Sequence, residues 1–241
     1  RKLAHLGPTF DRDQPIDLPL TIGQRQVLSA GTAPGITHRA GEIASEMVVE
    51  IISQAIAGSD GSNPVQTLRE SIMRASQEIL VQAENTPDRK GMGATCACAL
   101  VVDDRLYIAS VGDSRIYLTR NGKIQQLSID HTWVQEAIDA GLLSREESKE
   151  HPNAHVIRRY LGSKQPVEPD TRLRLSPGES NARSESNQGL HLRPNDQILL
   201  CSDGLTDLVS DDEIISILDG NEREKAIQRL VDLANERGGH D

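Results

Sequence analysis

The stretch that most constrains this chain is Gln197-Ile198-Leu199-Leu200-Cys201-Ser202-Asp203-Gly204-Leu205. An unbroken apolar run followed by a polar break ending in Asp-Gly reads as a buried strand that stops at its carboxyl end. Arg193-Pro194-Asn195-Asp196 is the turn that feeds it. A carboxylate at the end of such a strand is rigidly held and aimed out of the sheet, as a metal or catalytic site requires. The same residues also suit a simple turn, with Asp203 as cap and Gly204 supplying unusual backbone angles. A second stretch, Tyr107 to Tyr117, has the same grammar: a strand, the Gly112-Asp113 break, and another strand. Two such aspartates in one domain point to a shared centre for a hard cation.

The rest of the chain fits one large domain. Its 241 residues are enough to bury a sizeable core. With 26 basic against 36 acidic residues, the net charge of −10 argues against a nucleic-acid partner. Aromatic residues at 2% leave little to stack on bases. No apolar run has the length of a membrane span, and the first residues lack the apolar core of a signal peptide. The three cysteines, Cys96, Cys98 and Cys201, sit in apolar strand-like contexts and read as small core residues, which favours a cytoplasmic location.

Residues 1–40 are irregular, punctuated by Gly and Pro, with one short strand expected at Gln26–Ala30. From Ala40, apolar residues recur at helical spacing through Ile56. A Gly58–Asn63 linker leads to a second such helix through Ala83, and the two should lie antiparallel on one face of a sheet. Strands follow at Ala94–Val102, Leu106–Ser110 and Arg115–Leu118, and Asn121-Gly122 marks a hairpin. Short helices are expected at Trp133–Ala140 and Ser144–Glu150, and another helical turn or two at Val156–Leu161. A strand is expected at Thr171–Leu175 and a mobile loop at Ser176–Gly189. Ser210-Asp211-Asp212-Glu213 is a capping box opening a helix, and Arg223–Glu236 is the last amphipathic helix. Locally pairing strands covered by helices argue an α+β layered fold, not a doubly wound parallel sheet.

Five motifs then fall in series: Gly91-Met92-Gly93-Ala94-Thr95, Val111-Gly112-Asp113-Ser114-Arg115, Asp130-His131-Thr132, Ser202-Asp203-Gly204-Leu205-Thr206-Asp207 and Gly238-Gly239-His240-Asp241. In order and spacing they resemble the metal-dependent protein phosphatases (PPM family, protein phosphatase 2C type), especially the compact bacterial members, over about residues 38–241. The resemblance implies a four-layer sandwich, with two central antiparallel β-sheets flanked by antiparallel helix pairs. It implies Mn²⁺ or Mg²⁺ at one edge and hydrolysis of phosphoserine and phosphothreonine by metal-bound water. Asp203 and Asp241 match the ligands of one metal, and Asp113 matches the ligand of a third, weaker one. His38 matches the histidine beside the leaving-group oxygen, although by itself it reads equally as a loop histidine. In the family, the insert from His131 to Gly162 borders the cleft. Arg158 and Arg159 there are candidate phosphate contacts, with solvated surface charge as the plain alternative.

The departures lie near the start. Where the family carries an Asp-Gly pair bridging two metals, this sequence has Ala33-Pro34. A gapless match puts Pro15 at another ligand position and Phe10 at the phosphate-binding arginine. Only a shifted loop would make Asp13 a substitute metal ligand and Arg12 a substitute phosphate contact, and nothing in the sequence forces that shift. The family also continues past Asp241 with a final strand, and a truncated C-terminal strand is the expectation here. The expectation is one phosphatase-like domain over 1–241, monomeric, acting on a phosphorylated protein with impaired turnover. The alternative is an inactive pseudophosphatase that binds phosphoproteins or partners. No nucleic acid and no membrane are expected.

Overall fold

A computed structural model of the chain describes residues 4–6, 24–29, 38–149 and 151–239, with side chains from Ala40 onward. Two four-stranded antiparallel sheets lie at its centre. The first orders β2 (Gln24–Ser29), β3 (Cys96–Val102), β4 (Arg105–Val111) and β7 (Leu190–His191). The second orders β1 (Ala4–Leu6), β8 (Gln197–Cys201), β5 (Arg115–Arg120) and β6 (Lys123–Gln126).

Side-chain alternation along the strands builds the layers. On β3, Cys96, Cys98 and Leu100 face the helices α1 (His38–Ala57) and α2 (Pro64–Asn85). Ala97 and Ala99 between them face the second sheet, against Ile116, Leu118, Ile198 and Leu200. The opposite face of that sheet, Tyr117, Leu199 and Cys201, packs on α7 (Asp211–Gly220) and α8 (Arg223–Glu236) through Ile214, Leu218, Leu230 and Ala234. The order is therefore helix pair, sheet, sheet, helix pair, as the family resemblance implied. Each fully buried Leu or Ile in these interfaces contributes about 1.5–3 kcal/mol.

Local chemistry sets the element ends. Pro64 opens α2, where its missing N–H costs no helical bond. Asn121 and Gly122, at φ 53° and 68°, make the left-handed turn of the β5–β6 hairpin. Ser210 and Glu213 form the reciprocal capping box at the start of α7. The anticipated short helices are α3 (Trp133–Asp139) and α4 (Arg145–Lys149).

Four local expectations need correction. Val156–Leu161 is not helical but irregular, with isolated bridges at Ile157 and Leu161. Leu161 exchanges backbone bonds with Ala94 at 2.8 and 3.2 Å, and Arg158 N–H donates to the His131 carbonyl at 2.7 Å, so these groups are committed outside the segment. Among the described residues, Thr171–Leu175 joins no ladder: Leu173 N–H bonds the Ser184 carbonyl and Arg174 N–H bonds that of Leu127. The Gln188 side-chain amide takes a neighbouring strand's place, bonding Ile108 N–H, Ile108 C=O and Thr171 C=O. Ser176–Gly189 contains a helix, α5 (Asn181–Ser186), with Ser180 as N-cap. Its polar residues act in capping, and Glu179 accepts from Leu175 N–H, Ser184 Oγ and Asn187 Nδ2. Finally, β1 and β7 are strands beyond those read from the sequence.

Candidate metal centre

Strand register assembles the site. In the β5–β8 pair, Arg115 lies opposite Cys201. Asp113 precedes Arg115 by two residues and Asp203 follows Cys201 by two, so antiparallel pairing delivers both carboxylates to the same sheet edge. Asp203 opens α6 (Asp203–Thr206), where its Oδ1 accepts the Gly204 N–H at 2.9 Å. The first sheet ends at this edge too, with Cys96 opposite Val111 and Ser29 opposite Ala97. The chain thus leaves β2 here, and α1 begins at His38.

Asp113 occupies the β4–β5 turn and is only 8% exposed. Burial, followed by the like charges of Asp203 and Asp130, pushes its carboxyl up to about 7, while a backbone hydrogen bond and Arg115 pull the other way. Arg115 cannot neutralise the whole cluster, because it is already committed to Asp130. Its Nε lies 2.9 Å and its Nη2 2.7 Å from Asp130 Oδ2, and Gln126 Nε2 donates to the other oxygen at 2.7 Å. Asp207, just beyond α6, is also raised, first by burial, against the opposing pull of His155, whose Nδ1 is 3.1 Å from its Oδ2. Asp203 and Asp130 thus act on Asp113 as like charges at this edge, where carboxylate oxygens are available to a cation.

The Asp113 turn is held from behind. Gly112 has φ +102°, and a Cβ there would lie 2.4 Å from Thr95 Cγ2, so no other residue fits without displacement. Thr95 Oγ1 and Ser114 Oγ are hydrogen bonded at 2.8 Å beneath the turn. His131 bonds both polar groups of Gly112 and faces Asp170. Burial would raise the Asp170 carboxyl, but hydrogen bonds from His131 and Arg172 prevail and hold it well below the usual carboxylate range.

The donor chemistry fits a hard divalent cation, since carboxylate oxygens are the ligands that Mg²⁺ and Mn²⁺ take. Asp113 and Asp203 are the candidate ligands brought to one edge. Among the described residues, no three His, Cys, Asp or Glu side chains form a ready-made ion cage. The candidate ligands Asp241 and Asp13, the phosphate contact Arg12, and the substituted positions Phe10, Pro15, Ala33 and Pro34 lie outside the described residues. The His38 side chain lies outside them as well, although its backbone opens α1. Arg158 and Arg159 are exposed on the insert, and Arg158 Nε sits 3.3 Å from Glu136 Oε2. Trp133 stacks on His151 in the same insert, with ring centroids 4.7 Å apart. The cysteines are buried and free, and burial pushes the Cys96 and Cys201 thiols up to about 12, so both are inert. Sequence reasoning gave no role to Asp130, His131, Asp170 or Asp207. Asp130-His131 and Asp207 fall within the quoted motifs, which was the available signal, but Asp170 stands in an unremarked Pro-Asp-Thr stretch.

Residues 35–137 match the family model described as protein phosphatase 2C. The serine/threonine phosphatase stp of Listeria monocytogenes is 35% identical over 210 residues, covering 85% of this chain and 77% of that protein. The crystal structure of the Mycobacterium tuberculosis serine/threonine phosphatase PstP/Ppp superposes with a TM-score of 0.78 at 32% identity, covering 99% of this chain and 93% of that one. The PstP catalytic domain in complex with 2 manganese ions gives a TM-score of 0.72 at 30% identity, covering 99% and 92%.

Proposed function

Because the chain belongs to the protein phosphatase 2C family, whose cofactor is Mn²⁺ or Mg²⁺, we propose that it is a protein serine/threonine phosphatase domain with an incomplete metal site. The substrate class is a phosphoserine or phosphothreonine monoester on a protein. The observation that carries this reading is the β5–β8 register, which delivers Asp113 and Asp203 to one edge. Divalent cations bound there would neutralise the phosphate and lower the pKa of water.

The chain's own residues do the rest. Asp203, with Asp241, would hold one cation, and Asp113 would hold a more weakly bound one. Burial of Asp113 keeps its carboxylate aimed but costly to ionise, which weakens that position. By its match to the family's histidine, His38 would protonate the leaving oxygen. Arg158 and Arg159 offer planar guanidiniums to the phosphate, replacing the arginine lost at Phe10. Asp13 and Arg12 are the nearest candidates to compensate in the N-terminal stretch. Ala33 offers no ligand atom where a bridging carboxylate belongs, and this supports impaired turnover. The same position favours a second reading, a pseudophosphatase that binds phosphoproteins without hydrolysing them. The residues 1–241 are read as one domain, acting as a monomer.

The test is release of phosphate from a phosphothreonine peptide with Mn²⁺, with chelator, and in the Asp203→Ala variant. The first reading expects slow turnover that needs Mn²⁺ and Asp203. Peptide binding with no Mn²⁺-dependent release would decide for the second.

A further inference from the structure

We propose that His131 is a positioning residue that holds the Gly112-Asp113 turn, and that Asp170 in turn holds His131. The inference rests on reading Asp113 as a metal ligand. Gly112 has no room for a Cβ, so its shape must be fixed from outside the turn. His131 does this at two points: its backbone N–H donates to the Gly112 carbonyl at 2.9 Å, and its Nδ1 accepts the Gly112 N–H at 3.0 Å. Both polar groups of one buried residue are thereby satisfied by a single partner. An accepting Nδ1 carries no proton, so the ring proton sits on Nε2, and Nε2 faces Asp170 Oδ2 at 3.3 Å. His131 is 4% exposed.

Asp170 is itself fixed. Arg172 Nε lies 2.9 and 3.0 Å from its two oxygens, and the Arg172 N–H donates to Oδ1 at 2.9 Å. Its backbone exchanges two 2.9 Å bonds with Ser110, near the end of the strand that leads into the turn. One residue therefore grips the strand by its backbone and orients the imidazole by its carboxylate. This is the logic by which a carboxylate orients a metal-ligating histidine, except that here the ring carries a backbone N–H. The His131 carbonyl also accepts the Arg158 N–H at 2.7 Å, so the same residue anchors the insert that carries the candidate phosphate contacts.

The variants are His131→Ala, which removes the acceptor, and His131→Asn, whose Oδ1 can replace Nδ1. The first readout is amide exchange in the metal-free protein; the second is Mn²⁺ titration by calorimetry, with Asp113→Asn identifying the heat that depends on Asp113. In His131→Ala we expect exchange of the Gly112 amide to rise about tenfold or more, with β8 amides unchanged. The Asp113-dependent Mn²⁺ affinity should fall about 10–100-fold. His131→Asn should recover most of both. An alanine variant unchanged in exchange and affinity, or an asparagine variant no better than alanine, overturns the proposal. If the unmodified chain shows no Asp113-dependent Mn²⁺ heat, the metal reading of Asp113 fails. The exchange data alone then decide whether His131 holds the turn.

Discussion

Replacing Asp113 by Asn keeps the shape of the side chain and removes its charge. The folded protein lifts this carboxyl from 3.8 to about 7, mainly by burying it and then by placing Asp203 and Asp130 nearby. At about 1.4 kcal/mol per unit, the ceiling on the penalty for ionising it is about 4 kcal/mol, and relaxation brings the expected value to about 2–4 kcal/mol. The sign follows from proton counting. Between about pH 4 and 7 the folded state keeps a proton that the unfolded chain has released, so stability falls as pH rises through that window. Above about pH 7 the full penalty applies, and below about pH 4 none does. Asp113→Asn removes it, so in chelator the variant should melt about 5–15 °C higher than the parent at about pH 8. The difference should shrink steadily towards about pH 4. Excess Mn²⁺ should narrow or reverse the gap at high pH, because a cation that binds the folded parent stabilises it alone. Melting curves by circular dichroism at several pH values, with and without Mn²⁺, decide it. A pH-independent difference, or a variant less stable at high pH, would refute the reasoning.

Other substitutions probe separate parts of the account. Gly112→Ala should cost about 2–4 kcal/mol, combining a left-handed φ with a Cβ against Thr95, read from the midpoint of urea unfolding. Ser210→Ala breaks the capping box of α7 and should cost about 1 kcal/mol in the same assay. Ala33→Asp with Pro34→Gly should raise Mn²⁺-dependent turnover of p-nitrophenyl phosphate about tenfold or more, and the gain should vanish when Asp203→Ala is added. The double change Arg158→Ala and Arg159→Ala should weaken phosphopeptide binding measured by fluorescence anisotropy, with unchanged affinity counting against a phosphate role.

What was legible in the sequence was the part encoded by periodicity and turn chemistry. The buried runs at β3, β4 and β8, the helical stripes of α1 and α2, Asn121-Gly122 and the Ser210–Glu213 box each state their structure locally. The Asp113 and Asp203 pair was readable because both aspartates end apolar runs, and register then brought the runs together. Segments whose backbone groups are satisfied at long range were opaque. Ile157 and Leu161 sit at helical spacing, but Thr132 and Ala94 take them as bridge partners. Glu179 and Ser180 look like loop composition until their caps are seen. Asp170 was invisible because its partners, His131 and Ser110, are distant in sequence.

The most direct test of the proposal that this acidic edge holds a cation without a bridging carboxylate is native mass spectrometry of the unmodified chain titrated with Mn²⁺. The account predicts Mn²⁺ adducts that are weakly held, stripped by mild chelation, and lost in Asp203→Ala. Two tightly held Mn²⁺ per chain would contradict the missing bridge, and no specific adduct at saturating Mn²⁺ would contradict the metal centre itself.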